Sequence, residues 1–167
     1  MAGSTPPADR LRALARYALL GALLFAMKMA MAQLPNIEPV SLSVILLAVV
    51  FGWGSLAAVY LYVFLEIAVW GPGVWNIAYL YVWLVLFVAA RGLRRMESPL
   101  GWAALSGCFG LVFGALCAPV SLCMGGWAAA VSWWVAGIPM DLLHGAGNFA
   151  LALVLFRPLR RALERAA

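Results

Sequence analysis

The sequence predicts an all-α integral membrane protein: a compact bundle of six transmembrane helices with both termini in the cytoplasm. Of its 167 residues, 66% are hydrophobic and only 10% are charged, whereas a soluble domain carries about 25% charged residues. Ten of the eleven Lys and Arg residues fall in three clusters separated by apolar sequence. Cytoplasmic loops retain Lys and Arg, so the clusters are expected on one side with an even number of spans between them. The clusters are Arg10, Arg12 and Arg16; Arg91, Arg94 and Arg95; and Arg157, Arg160, Arg161 and Arg165.

Prolines, glycines and charged loops divide the chain into six apolar segments that form one membrane domain. The predicted helices span residues 11–34, 41–51, 55–70, 74–90, 100–118 and 128–157. Pro35 ends the first helix, Gly52-Trp53-Gly54 separates the second from the third, and Gly71-Pro72-Gly73 makes an outer turn. The second segment is short against the ~20 residues of a perpendicular span, so it is tilted, broken or buried in protein. An inner loop over 91–99 and an outer connection around 119–127 complete the order.

Polar side chains inside apolar segments point to a binding site near the outer ends of three helices. Asp141, His144 and Asn148 follow one another at spacings of three and four, so they share one helical face. Intramembrane polar groups are costly and often functional, although pairing within the bundle is the alternative. Nearby aromatic residues either form an interfacial belt or stack on a flat ligand. The predicted substrate-binding residues are Glu66, Asn76, Tyr79, Trp83, Trp134, Asp141, His144 and Asn148.

The sequence contains no motif for several common catalytic and nucleotide-binding sites. A single His excludes an HExxH zinc site, and neither GxSxG nor a phosphate-binding P-loop is present. Cys108, Cys117 and Cys123 form no CxxC pair and are interpreted as small apolar residues, with a Cys117–Cys123 bridge left open. No catalytic residue, metal ligand or cofactor is therefore predicted, and any ATP-driven activity requires another subunit.

Two helices carry small residues at four-residue spacing, which lets another helix approach closely in lipid. On the fifth helix, Gly110, Gly114 and Ala118 are expected to pack inside the bundle. On the first helix, the alternatives are internal packing and docking of a partner helix, of which docking is preferred. The predicted docking residues are Ala18, Ala22, Ala26 and Ala30.

Taken together, these features resemble the substrate-binding S component of energy-coupling-factor (ECF) vitamin transporters over nearly the whole chain. Ala22-Leu-Leu-Phe-Ala26 resembles the AxxxA pattern by which S components dock, and Gly137-Ile-Pro-Met-Asp141-Leu-Leu-His144 is similar to the Gly-x-Pro-x-Asp stretch that opens their last helix. The loop from Leu34 to Ser41 resembles the one that closes over the ligand, so Asn36 and Glu38 are expected to form a gate.

The resemblance implies a mechanism and a set of partners. An S component in a prokaryotic cell membrane binds a vitamin or related micronutrient from outside. It then associates with a transmembrane scaffold subunit and two ATPase subunits, and ATP use topples it to carry the ligand across.

Two other functional classes remain. A stand-alone facilitator or channel for small solutes would need a continuous polar path, and the inner halves of the helices carry almost no polar residues. A membrane-embedded enzyme would use Asp141 and His144 as acid and base, but a second catalytic element is not recognisable. Uptake without partner subunits would favour the facilitator, and turnover by the purified chain would favour the enzyme.

Overall fold

The structure is a computed structural model that describes residues 7–34 and 37–167, and within these ranges it contains helices and no strand. One turn of 3₁₀ helix, Gly52–Ser55, joins α2 to α3. Four continuous helical stretches are long and apolar enough to cross a membrane. The all-helical, membrane-type prediction is therefore confirmed in this coarser form. The helices are α1 (Pro7–Ala30), α2 (Val40–Phe51), α3 (Leu56–Trp70), α4 (Val74–Gly92), α5 (Pro99–Leu111) and α6 (Phe113–Ala166).

Glycine and proline set most of the helix ends. Gly52 and Gly71 end α2 and α3 with φ values of 72° and 80°, a region that glycine enters without steric cost. Ser98 caps α5, because its Oγ accepts a hydrogen bond from the N–H of Gly101 at 3.2 Å, and Pro99 occupies the first helical position. As a result α2, α3 and α4 begin and end within two residues of the predicted bounds.

The ends of the other helices differ from the prediction. Helix α1 runs from Pro7 to Ala30, instead of 11–34, and α5 runs from Pro99 to Leu111, instead of 100–118. In the last third, α6 continues through Pro119 and reverses only at Gly126, whose φ of 74° is non-helical. The predicted outer connection over 119–127 therefore shrinks to a sharp turn, because a membrane helix tolerates proline when its neighbours satisfy the freed backbone. Gly126 divides α6 into a first arm, 113–125, and a second arm, 127–166.

Small residues let the second arm of α6 pack closely and antiparallel against α5 and the first arm. A methyl group added at Gly110 would lie 2.7 Å from the backbone nitrogen of Gly145, and one at Gly114 would overlap Asp141. Residue numbers rise from 110 to 114 along α5 and the first arm as they fall from 145 to 141 along the second arm, so the pairing is antiparallel. The contacting glycines allow the backbones to approach, as in other membrane helix pairs.

The short helix α2 lies in the middle of the bundle. Eight of its 12 residues are buried, and its start and end are tied to different neighbours. Ser41 accepts a hydrogen bond from Asn148 of α6 at 2.9 Å, while the carbonyl of Ala48 accepts one from Arg91 of α4 at 3.0 Å. Two of the alternatives for this short segment are therefore present together: α2 is buried in protein, and the 3₁₀ turn that joins it to α3 makes it part of a broken helical stretch.

Basic residues from all three sequence clusters lie at one end of the bundle, which we name the arginine end. The guanidinium of Arg16 lies 5.9 Å from the ring centroid of Phe51, the last residue of α2. Arg91 reaches the same end of α2. In the loop that follows α4, Glu97 lines a cavity with Arg157 of the second arm. The opposite end, which carries Glu38, is named the loop end.

Candidate functional site

The site is organised around Glu38, a loop carboxylate that is only 6% exposed. Its Oε2 accepts a hydrogen bond from Nζ of Lys28 on α1, and its Oε1 lies 3.8 Å from Nε2 of His144 on α6. The preceding residue, Ile37, packs beside Gly147, where an added methyl would approach its Cγ1 to 3.2 Å. The described part of the loop thus lies on the second arm of α6 and joins it to α1.

Helices α3 and α4 supply three more buried groups beside Glu38. Tyr62 and Trp83 are fully buried, Glu66 is 4% exposed, and the rings of Tyr62 and Trp83 meet edge to face at 6.2 Å. The carboxyl group of Glu66 lies close enough to Lys28 and Glu38 to interact with their charges. One partly exposed cation and two buried carboxylates therefore come together in this region.

The shared face of Asp141, His144 and Asn148 is present on α6, but its members have separate contacts. Both carboxylate oxygens of Asp141 accept from the N–H of Gly114, at 3.0 and 3.1 Å. His144 faces Glu38, and the amide of Asn148 donates to Ser41. The face therefore links the first arm, the loop and α2 in turn along its length.

Five buried polar atoms in this region have no hydrogen-bond partner among the described residues. Such groups are exceptional, because most buried polar atoms are satisfied and each failure costs about 1–3 kcal/mol. They include acceptors as well as the indole donor of Trp83, so a small polar ligand offering both types of group would satisfy them. We name Lys28, Glu38, Tyr62, Glu66, Trp83, His144 and Asn148 the polar cluster. The unpartnered atoms are Tyr62 Oη, Glu66 Oε1, Trp83 Nε1, His144 Nε2 and Asn148 Oδ1.

A cleft of 350 Å³ opens between the two arms of α6, with Asp141 in its lining. Its volume lies within the ~300–1,000 Å³ range of small-molecule pockets. Phe113 lines the cleft and also contacts the imidazole of His144, with ring centroids 5.0 Å apart. The cleft and the polar cluster are therefore neighbours that share this aromatic ring. Its other lining residues include Gly114, Cys117, Trp133 and Met140.

The remaining predicted binding residues are more dispersed. Tyr79 is half-buried and stacks edge to face on Trp83 at 5.3 Å. Asn76 serves the start of α4, where its Oδ1 accepts the N–H of Gly73 at 2.5 Å, although its Nδ2 is unpartnered within the described chain. Trp134 is 45% exposed, and its neighbour Trp133 lines the cleft instead. Asn36 lies outside the described residues.

Three residues that build or support the site are not among the predicted binding residues. Lys28 pairs with Glu38; the available signal was that it is the one basic residue of the sequence outside the three clusters. Tyr62 lies one helical turn before Glu66, so the two side chains share a face of α3; this spacing was the available signal. Ser41 gave no signal, because a lone Ser at a helix start is ordinary.

The alanine stripe on α1 faces away from the bundle. Ala18, Ala22, Ala26 and Ala30 are all exposed. The buried side of the helix carries Gly21, where an added methyl would lie 2.7 Å from the carbonyl oxygen of Ala58 on α3. This exposure leaves the stripe accessible to a partner, as docking would require.

No family model, curated protein or solved structure matches this chain. Among the described residues, no group of three or more His, Cys, Asp and Glu side chains is placed to hold a metal ion.

Proposed function

We propose that this chain is the membrane-embedded substrate-binding S subunit of an ECF-type importer for a vitamin or related micronutrient. The observation that carries the proposal is the polar cluster, in which five buried polar atoms on α3, α4 and α6 have no hydrogen-bond partner within the described part of the chain. Leaving so many groups unsatisfied raises the free energy of the ligand-free protein. A ligand that forms hydrogen bonds with them removes this penalty, which favours binding.

The cluster favours a small, flat ligand with both donors and acceptors. Glu66 and Asn148 offer acceptor oxygens, whereas Trp83 offers a donor. Edge-to-face aromatic pairs such as Tyr79–Trp83 supply rigid apolar walls for a heterocycle. A ligand amine or protonated ring nitrogen would pair with the Glu66 carboxylate, and Asp141 offers a second carboxylate in the neighbouring cleft.

The loop is proposed to act as the gate, with Glu38 and Asn36 as its polar residues. Glu38 is held by a hydrogen bond from Lys28, and the imidazole of His144 lies 3.8 Å from its other carboxylate oxygen without a hydrogen bond. These contacts are made by side chains and not by helical backbone, so rearranging them would open the cluster without unfolding a helix. Release of Glu38 would expose Lys28, His144 and Glu66 to an entering ligand.

The proposal includes a topology and partners. Six segments cross a prokaryotic cell membrane, with α5 and the first arm of α6 as the fifth crossing and the second arm as the sixth. Both termini and the loop after α4 lie in the cytoplasm, supported by the basic residues gathered at the arginine end. The exposed alanine stripe of α1 docks a scaffold subunit, which brings two ATPase subunits.

A panel of vitamins and their precursors, titrated onto the purified chain in detergent, tests the proposal. We expect one compound to bind with high affinity and raise the melting temperature. Uptake of that compound by cells should require co-expression of an ECF scaffold and its ATPases. Uptake by the chain alone would instead favour a facilitator, and chemical conversion of a compound would favour an enzyme.

A further inference from the structure

A charged cavity at the arginine end lies apart from the polar cluster and has no part in the proposed transport site. It measures 360 Å³, and four charged residues of the second arm of α6 face Glu97 of the loop after α4 across it. Those four recur at intervals of three and four, so they lie on one helical face. They are Arg157, Arg160, Arg161 and Glu164, with buried Phe156 beside them.

Two of the three arginines are uncommitted. The Nε of Arg160 donates to Oε1 of Glu164 at 2.7 Å, which pairs these two charges. Arg157 and Arg161 have no hydrogen bond or ion pair with any part of the chain that the structure describes. They stand one helical turn apart, so two guanidinium groups border the same cavity and can together contact one tetrahedral anion.

The rest of the lining restricts which anion fits. Glu97 and Glu164 repel a compact, highly charged anion, but they accept hydrogen bonds from an ammonium or hydroxyl group beside it. Buried Phe156 also lines the cavity, where the last helix leaves the predicted hydrophobic segment. A phosphodiester joined to a primary amine, with acyl chains running along the helix, matches the guanidinium groups and the carboxylates in turn.

We propose that this cavity binds the headgroup of a phospholipid, with Arg157 and Arg161 on the phosphodiester and Glu97 on an ethanolamine ammonium. The site anchors the loop after α4 to the second arm of α6 through a lipid. It requires a chain embedded in a bilayer and does not depend on what the polar cluster binds.

Native mass spectrometry of the detergent-solubilised chain with added lipid tests this. Phosphatidylethanolamine and phosphatidylcholine form a matched pair, since they share the phosphodiester and differ in the ammonium donors. We expect phosphatidylethanolamine to bind at one saturable site. Each guanidinium–phosphate contact is worth about tenfold in affinity, so removing both in Arg157→Gln with Arg161→Gln should weaken binding about 100-fold. Glu97→Gln should lower the ratio of the affinity for phosphatidylethanolamine to the affinity for phosphatidylcholine, because it removes the carboxylate that contacts the ammonium group.

The control is Arg94→Gln with Arg95→Gln, which removes the same charge from the same end without touching the cavity lining. Equal losses in the two double variants would overturn the proposal, because binding would then follow net charge. Competition by inorganic phosphate at the lipid's own concentration would also overturn it, in favour of a soluble anion. Thermal melts check folding, which these exposed arginines should not affect.

Discussion

Oε1 of Glu38 lies 3.8 Å from Nε2 of His144, although 106 positions separate these residues in the chain. The other carboxylate oxygen of Glu38 is bonded to Lys28. A single loop side chain therefore connects α1 to the last helical segment at the loop end. The proposed gate and the polar cluster meet at this carboxylate. Variants of Glu38 can therefore measure what its contacts contribute to the stability of the protein.

Replacing Glu38 with Gln should destabilise the protein, because Lys28 is left without its carboxylate. The Lys28 side chain is 26% exposed, so the loss should be about 1–3 kcal/mol, below the cost of breaking a fully buried pair. In a double-mutant cycle, Lys28→Met should remove much of the effect of Glu38→Gln. Asp9→Asn with Arg12→Gln breaks an exposed pair at 3.7 Å and should leave the melting temperature unchanged. Additive losses at Lys28 and Glu38 would show that the pair contributes no coupling.

Substitution of Gly110 with Ala should disturb the antiparallel packing of α5 on α6. The added methyl would lie 2.7–2.8 Å from backbone atoms of His144 and Gly145, which have no rotamer to adjust. Overpacking of this kind costs about 1–3 kcal/mol. Gly137→Ala is the matched control, since no atom of the described residues lies within 4 Å of a methyl there and the change favours a helix by about 0.5–1 kcal/mol. Melting curves of both variants give the comparison, and equal effects would rule out close packing at Gly110.

The sequence predicts helix ends well where glycine or proline forces a break. Gly52, Gly71 and Pro99 each mark an end through local backbone geometry, which acts regardless of the surrounding fold. Pro119 is the counterexample, because neighbouring helices can compensate its missing N–H. Its position in a helix or a loop therefore depends on tertiary packing, and the turn falls at Gly126 instead.

The face of Asp141, His144 and Asn148 follows from helical spacing alone, and the structure has it. What each residue contacts does not follow, because the partners come from the loop, α2 and α6 itself. The Lys28–Glu38 pair was missed for the same reason: a loop conformation between two helices is set by packing, not by periodicity. Exposure of the alanine stripe likewise depends on tertiary packing, because it follows from the approach of Gly21 to α3 on the other side of α1.

Labelling from outside intact cells should distinguish the two ends of the bundle. Native Cys123 is exposed and lies near the Gly126 turn, so a membrane-impermeant maleimide should react with it when Cys108 and Cys117 are replaced by Ala. With all three replaced, Ser98→Cys in the loop at the arginine end should stay unlabelled until the cells are lysed. Labelling of position 98 in intact cells would contradict the proposed topology.

Ala22→Leu or Ala26→Leu should block docking without affecting the free subunit. Both positions are exposed, so the larger side chains meet lipid in the isolated protein but obstruct a closely packed partner helix. Co-purification with the scaffold and uptake should fall, while ligand affinity and melting temperature remain at wild-type values. Ala104→Leu, on the exposed face of α5, is the matched control. Wild-type co-purification of both stripe variants would remove α1 from the interface.

Glu66→Gln should weaken ligand binding while leaving the free protein equally stable or more stable. Its Oε1 is buried with no hydrogen-bond partner among the described residues, so neutralising the carboxyl removes an unfavourable group from the ligand-free protein, whereas the bound ligand loses its anchor. The expected loss of about 1–3 kcal/mol corresponds to a fall of about 5–150-fold in affinity. Isothermal titration with the compound found in the panel, alongside a thermal melt, measures both quantities.

Two further variants, Asn148→Ala and Tyr60→Phe, serve as comparisons for Glu66→Gln. Asn148→Ala should also weaken binding, but with a lower melting temperature, because it breaks the 2.9 Å hydrogen bond to Ser41. Tyr60→Phe, which removes an exposed hydrogen bond to the Leu80 carbonyl, should not change affinity. A destabilised Glu66→Gln with wild-type affinity would assign this carboxyl to structure, because removing a structural group lowers stability and removing a ligand anchor lowers affinity.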